Sequence, residues 1–417
     1  MSGLRTVEEQ RAEVLAAVRP LPGERIPVAA ATGRTLREAL RTHVDIPVFD
    51  NSAMDGFAVR FADVVAAAPD APVRLRVVAD LPAGTALDPP LGPGEAARIM
   101  TGSPVPADAD AIVPFEDTTG GLADSLAEIA VRRAPARVGA HIRRRGEDAV
   151  VGDELLPAGV ELGAFQLSAA AAAGIPDLLV GRRPRVAVVS TGDELVAPGL
   201  PLRRGQIPES NSELLAGLAT AAGAEVARRA SVSDDERGLA ALVVELTGGV
   251  DAVVFSGGVS AGAYEVVKNT LAGAMTFSKI AMQPGKPQGF GVLRRAPDAE
   301  SGALLFGLPG NPVSAAVSFE VFVRPALLAL QGRTVLDRAV LRLPAASGWR
   351  TPPGRRQYLP AAIDRSDPAR WTLRPATAGG SGSHLVGGLA RAEALAVVPA
   401  DVDEVAPGDL VDVMLIS

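Results

Sequence analysis

A chain of 417 residues is too long for one ordinary core and predicts two to four domains, while 47% hydrophobic and 21% charged residues describe folded rather than disordered protein. A formal charge of -7 excludes a general binder of nucleic acid or of anionic membranes, because no long basic patch offsets it. The absence of cysteine removes disulfides, thiolate zinc sites, iron–sulfur ligation and cysteine nucleophiles, so any soft-metal chemistry must bring its own sulfur.

Thr6-Val7-Glu8-Glu9 reads as a capping box that opens an amphipathic helix, stopped by Pro20. No signal peptide is read there, and a cytoplasmic location is the expectation. Residues 1–44 carry this helix and a connecting segment. They are expected to join residues 146–181, whose Ala-rich Phe165 to Ala173 predicts a helix packing back on the first, in one split, elongated linking domain. The longest apolar run is placed around Phe165 to Ile175, too short to span a bilayer.

Residues 45–145 are rich in Pro and Gly, and Val73-Arg74-Leu75-Arg76-Val77 alternates at the strand period, which predicts a small β domain. Two polar turns stand out in it, Phe49 to Phe57 and Arg98 to Pro104. Turn chemistry accounts for Asn51, Gly56 and Gly102, and less completely for Asp55 and Thr101.

Residues 182–333 alternate strand and helix. Strands are predicted at Arg185 to Ser190, Ala224 to Val232, Asp251 to Phe255 and Ala303 to Leu308. Helices are predicted at Ser212 to Ala222, at Asp235 to Leu246 and from near Pro312. The alternation predicts a doubly wound parallel sheet with helices on both faces, and ligands bind such sheets beyond the carboxyl ends of the strands. Residues 334–417, with short strands from about Leu341 and a closing Leu410 to Ile416 run, predict a C-terminal β barrel or sandwich.

Acids gather at the predicted strand ends: Asp193 and Glu194 after the first, Asp234 and Asp235 after the second, and Glu265 beyond the Gly-rich loop of the third. Asp193 or Asp235 also suits a helix N-cap. Jointly the acids suit a hard cation such as Mg²⁺, because like charges in a cleft are costly unless a cation answers them. His43, His141 and His384 show no metal-ligand spacing.

The opposite sign comes from amide donors and lysine. Ser256-Gly257-Gly258-Val259-Ser260 and Leu308-Pro309-Gly310-Asn311-Pro312 place backbone N–H groups near any phosphate, with Asn311 at an N-cap and Pro312 at the first helical position. All three lysines, Lys268, Lys279 and Lys286, fall in one stretch of a chain that otherwise uses arginine. Lys268 reads as a solvated side chain. Lys286, between Gly285 and Pro287, is presented from a stiff turn. At ~4 Å an ammonium–anion pair is worth about 1 kcal/mol in water and about 4 kcal/mol in a cleft, so the reading requires a pocket. Acids, amides and Lys286 together predict a site for a phosphorylated ligand with a metal ion.

These residues resemble the molybdopterin molybdenumtransferase family, MoeA, which includes the E domain of gephyrin. Asp-Asn-Ser-Ala-Met-Asp-Gly, Arg-Ile-Met-Thr-Gly, Ser-Thr-Gly-Asp-Glu-Leu, Ser-Gly-Gly-Val-Ser, Pro-Gly-Lys-Pro and Gly-Leu-Pro-Gly-Asn-Pro-Val-Ser occur in the family's order over nearly the whole chain. The resemblance implies a four-domain, L-shaped protomer and a homodimer whose cleft draws on both chains. It implies adenylylated molybdopterin and molybdate as substrates, release of AMP, entry of molybdenum into the dithiolene, and contact with other molybdenum-cofactor biosynthesis proteins.

By motif position, the resemblance implies that Asp55 and Thr101 face the cleft from the partner subunit, while Glu194, Asp234 (or its neighbour Asp235) and Glu265 line it. It further implies that Lys279 and Lys286 meet phosphate or molybdate, Pro309 and Pro312 shape their loop, and Arg355 and Ser383 reach in from the C-terminal domain. Two departures are Glu265 where the family often has Asp, and Gln283 where it often has Lys. Competing readings are an enzyme acting on another nucleotide pyrophosphate, like the related competence-damage-inducible proteins, and a dimeric scaffold that binds partner proteins.

Overall fold

The structure, a computed structural model, describes residues 4–119, 126–233, 235–259, 265–294, 302–377 and 382–416. Thr6 caps the first helix, Val7–Ala17: its hydroxyl accepts from the Glu9 N–H while the Glu9 carboxylate accepts from the Thr6 N–H. Val14 in the helix and Val18 at its C-cap bury in one cluster with Val323, Leu327 and Leu330 of the long helix described below. The first helix therefore joins the α/β core. The Ala164–Ala172 helix packs instead through Leu167 and Ala170 against Ala31 and Leu36, which corrects the expected pairing of the two helices.

The chain leaves and re-enters through two antiparallel pairs, Gly23–Pro27 with Asp177–Gly181 and Leu40–Arg41 with Glu154–Leu156. Between them lies a six-stranded sheet ordered Ala111–Pro114, Gly56–Val59, Glu95–Ile99, Val73–Leu81, Glu128–Val131, Thr118–Thr119. Alternation along Gly56–Val59 sends Phe57 and Val59 to one core and Ala58 to another on the opposite face.

The central sheet runs Glu225–Val232, Arg185–Thr191, Ala252–Ser256, Gly302–Leu308, Pro287–Arg294, Met275–Lys279. Its first four strands are parallel. The last two, outside the four predicted strands, are antiparallel to their neighbours, so the sheet as a whole is mixed. The reason is connection length: the links between Lys279 and Pro287 and between Arg294 and Gly302 are too short for a parallel crossover. Helices cover both faces. Asn211–Ala221 and the long helix pack on Val186, Val188 and Val254, while Glu236–Thr247 and Val266–Leu271 pack on Ala187, Val189 and Phe255.

The long helix, Pro312–Leu330, has 19 residues and enough apolar character to cross a membrane, yet 89% of that apolar window is buried inside the protein. It is a core helix, and a longer mainly apolar segment than the Phe165 to Ile175 run. A π-turn at Phe319–Val323 precedes Pro325, which has no N–H to give the ladder.

In the C-terminal domain Thr372–Pro375, Arg356–Asp364, Ala394–Val398, Leu410–Leu415 and Val340–Pro344 pair in that order. A bridge from Ala345 to Leu373 closes the row into a barrel. Met282–Gln283, from the lysine-bearing segment, adds to Arg356–Gln357 as a parallel strand and ties the two domains together.

Candidate active site

The carboxyl ends of three parallel strands open into a cavity of about 610 Å³. After Arg185–Thr191 the chain turns through Gly192 to Glu194; after Ala252–Ser256 it turns through Gly257 and Gly258; after Gly302–Leu308 it turns through Pro309 to Asn311. Two of these loops touch: the Gly257 N–H donates to the Leu308 carbonyl at 3.0 Å. Gly257 is in the left-handed region at φ +94°, and a Cβ there would lie 2.7 Å from the Thr191 carbonyl oxygen. No other residue keeps that approach without strain.

Most of the residues marked from the sequence meet here. Glu194, Glu265, Lys286, Ser256, Gly257, Gly258, Pro309, Gly310, Asn311, Pro312 and Ser383 all line the cavity. Asp234 and Ser260 lie outside the described residues. Asp193 precedes no helix, since the next one begins at Asn211. Asp235 caps the Glu236–Thr247 helix, its carboxylate accepting from the Arg237 and Gly238 N–H groups at 3.1 and 3.0 Å. Asp235 thus fills the helix N-cap role that its position also suited.

Asn311 occupies the N-cap position of the long helix, with Pro312 first inside it, but its side chain does not cap. Its Nδ2 donates to the Ser383 hydroxyl at 3.0 Å, and the Val313 N–H donates to the Ser383 carbonyl at 3.2 Å. The C-terminal domain thereby contributes Ser383 to the cavity wall. Arg355 is half-buried just before the Arg356–Asp364 strand and is not among the lining residues.

Lys286 is held by a buried brace. Gln288, in the strand that follows, donates through Nε2 to the Gly285 carbonyl at 2.7 Å and to the Ser318 hydroxyl of the long helix at 2.6 Å. The Lys286 carbonyl accepts from the Ile280 N–H at 2.7 Å, so the turn is pinned at both ends while the ammonium stays exposed. Lys279 is exposed opposite Pro287 in the ladder, beside this turn but outside the lining.

Asp55 and Thr101 belong to the small β domain and do not line the cavity. They form a local pair: the Thr101 N–H and hydroxyl donate to one Asp55 oxygen at 2.6 and 2.7 Å. The Thr101 amide first, then its hydroxyl, hold the Asp55 carboxyl below the usual carboxylate range.

Among the described residues no three His, Asp or Glu side chains stand close enough to hold a metal. Glu194 and Glu265 nonetheless supply hard oxygen donors to one cavity, and Mg²⁺ is commonly held by one or two carboxylates plus substrate phosphates. The residues present fit such an ion.

Two polar residues in the wall were not marked from the sequence. Glu209 is buried and accepts from the Ser190 hydroxyl and the Ser212 N–H, each at 2.9 Å. Asn211 donates through Nδ2 to the Ser256 hydroxyl and the Gly310 carbonyl, each at 2.6 Å. Pro208-Glu209-Ser210-Asn211-Ser212 reads as ordinary helix-start polarity. The one available signal was a Glu and an Asn placed close together at the start of an apolar helix, Asn211–Ala221.

The chain matches three family profiles: the MoeA N-terminal region (domain I and II) over residues 5–174, a probable molybdopterin binding domain over 187–329, and the MoeA C-terminal region (domain IV) over 342–416. It is 42% identical to molybdopterin molybdenumtransferase 2 of Mycobacterium tuberculosis, over 97% of this chain and 98% of that protein. It is 31% identical to the molybdopterin molybdenumtransferase of Haemophilus influenzae, over 98% of each chain. A crystal structure of a MoeA molybdopterin biosynthesis protein from Pyrococcus horikoshii superposes with a TM-score of 0.78 at 31% identity, covering 99% of both chains.

Proposed function

Since the chain belongs to the MoeA family, we propose that it is a molybdopterin molybdenumtransferase acting on adenylylated molybdopterin and molybdate as a cytoplasmic homodimer. The observation that carries the reading is the convergence of Glu194, Glu265 and Lys286, distant in sequence, on one cavity floored by the glycine turns.

Hydrolysis adds one water across the phosphoanhydride, and the bridging oxygen leaves with the bond's electron pair, giving AMP and molybdopterin. Insertion forms two Mo–S bonds and expels one molybdate oxygen as water with the two thiol protons. The sulfur comes from the pterin, as a cysteine-free chain requires. Glu194 and Glu265, with Asp234, would hold Mg²⁺, which supplies charge neutralisation at the phosphoanhydride. Lys286 and Lys279 answer phosphate and molybdate charge, and the Gly257, Gly258 and Gly310 backbone lets anionic groups approach closely. Arg355 and Ser383 contribute from the C-terminal domain. Asp55 and Thr101 complete the cleft from the partner subunit, which gives their exposed pair a place to act.

Purified protein incubated with adenylylated molybdopterin, molybdate and Mg²⁺ is expected to release AMP only when molybdate is present. Absence of molybdate-dependent AMP release overturns the proposal.

A further inference from the structure

Two side chains at the start of the Asn211–Ala221 helix reach three strand ends. Glu209 accepts from the Ser190 hydroxyl at 2.9 Å, and Asn211 donates through Nδ2 to the Ser256 hydroxyl and the Gly310 carbonyl, each at 2.6 Å. Ser190, Ser256 and Leu308 form the last row of the parallel ladder at this edge of the cavity. Past that row the Gly257 N–H bond to Leu308 and the Asn211 amide tie the glycine turns together. Because one nitrogen bonds both acceptors, Asn211 fixes the distance from Ser256 to Gly310. It also turns the Gly310 carbonyl toward itself, and across a trans peptide the Asn311 N–H then points the opposite way. Gly310 lines the cavity, so a carbonyl released from Asn211 would set its oxygen against those of an anion.

Building on the transferase reading above, we infer that Asn211 is a positioning residue for the phosphorylated ligand. Through the Ser256 hydroxyl and the Gly310 carbonyl it holds the two glycine turns at the spacing and orientation in which their backbone meets an anion. It acts through these two partners, without itself contacting the ligand. The same helix offers a comparison at its far end. Gln331, also buried, donates through Nε2 to the carbonyl of the C-cap residue Ala222 at 2.8 Å and to the Leu327 carbonyl at 2.9 Å. It is likewise an amide serving two acceptors, and it is not among the residues lining the cavity.

Equilibrium binding of AMP to the full chain in the presence of Mg²⁺, with melting temperatures measured alongside, tests the role. Asn211→Leu and Gln331→Leu each leave two acceptors without this donor and are expected to lower the melting temperature by similar amounts. AMP affinity is expected to fall about tenfold or more in Asn211→Leu, because a small displacement of the binding backbone is costly. In Gln331→Leu it is expected to stay within about twofold, as the two sites share no partner. If either Leu variant fails to fold, Asn211→Ser and Gln331→Ser carry the comparison, since a short hydroxyl with one hydrogen cannot serve both acceptors. Equal loss of AMP affinity at the two positions, no loss at Asn211, or no AMP binding by the unmodified chain overturns the inference. Any of these with molybdate-dependent AMP release intact leaves the transferase reading standing. The expected pattern without AMP release overturns that reading alone.

Discussion

Asp55 and Thr101 hold each other through two hydrogen bonds within one small domain, whereas Lys286 is held by residues from three separate elements. The first pair is complete as local structure but lies outside the cavity of its own chain. The second region is an assembly: strand-end turns, the brace on the long helix, and Ser383 from the barrel. The contrast teaches that the two halves of the proposed cleft fail differently. Damage to the Asp55 half removes a presented group, while damage to the cavity also disturbs the packing that presents it.

The largest effect is expected from Lys286→Ala and from Asp55→Ala, each lowering AMP release by about 10²-fold or more. Melting temperatures are expected to stay within a few degrees, because both side chains are solvent-facing. Coexpression of the two variants tests the comparison directly. In a dimer with shared clefts, random pairing puts one intact site in about half the dimers and restores roughly a quarter of the activity. No recovery in isolated mixed dimers breaks the comparison.

Gly257→Ala is expected next, costing about 1–3 kcal/mol in denaturant titrations through backbone strain and the clash with Thr191. Gly310→Ala meets only ordinary contact at 3.5 Å and is expected to change stability far less. Equal losses would contradict the close approach assigned to Gly257.

Gln288→Leu leaves the Gly285 carbonyl and Ser318 hydroxyl without this donor and is expected to cost about 1–3 kcal/mol while raising KM, since the Lys286 turn loses its brace. An unchanged KM would show the brace to be structural only.

The smallest effect concerns pH. The folded Asp55 carboxyl is held below its ordinary value, so its contribution is present above the ordinary carboxylate range, about pH 4, and is lost as pH falls through the lowered value. The difference in melting temperature between the unmodified chain and Asp55→Ala is therefore expected to shrink on acidification. A difference that grows reverses the assignment.

Much of the architecture was legible because its signals are short-ranged. The Thr6–Glu9 capping box, the Val-rich Arg185 strand and the Asn311-Pro312 helix start each sit within a few residues of the element they specify. The antiparallel pair Met275–Lys279 and Pro287–Arg294 is not legible in the sequence because both strands are short of a clear alternation and their partners are set by the sheet. Glu209 and Asn211 are not legible as wall residues because their bonds go to Ser190, Ser256 and Gly310, outside their own helix start.

Residue order alone establishes a cysteine-free, acidic chain with helix caps, strand-end turns and a single stretch holding every lysine. Those features follow from local backbone preference and side-chain chemistry. Folding in three dimensions adds the choice of which turns face one another, the docking of the first helix on the long one and the Met282–Gln283 strand in the barrel sheet. Those depend on how two apolar faces of one sheet are covered, and burial of that kind is decided by contacts between segments hundreds of residues apart.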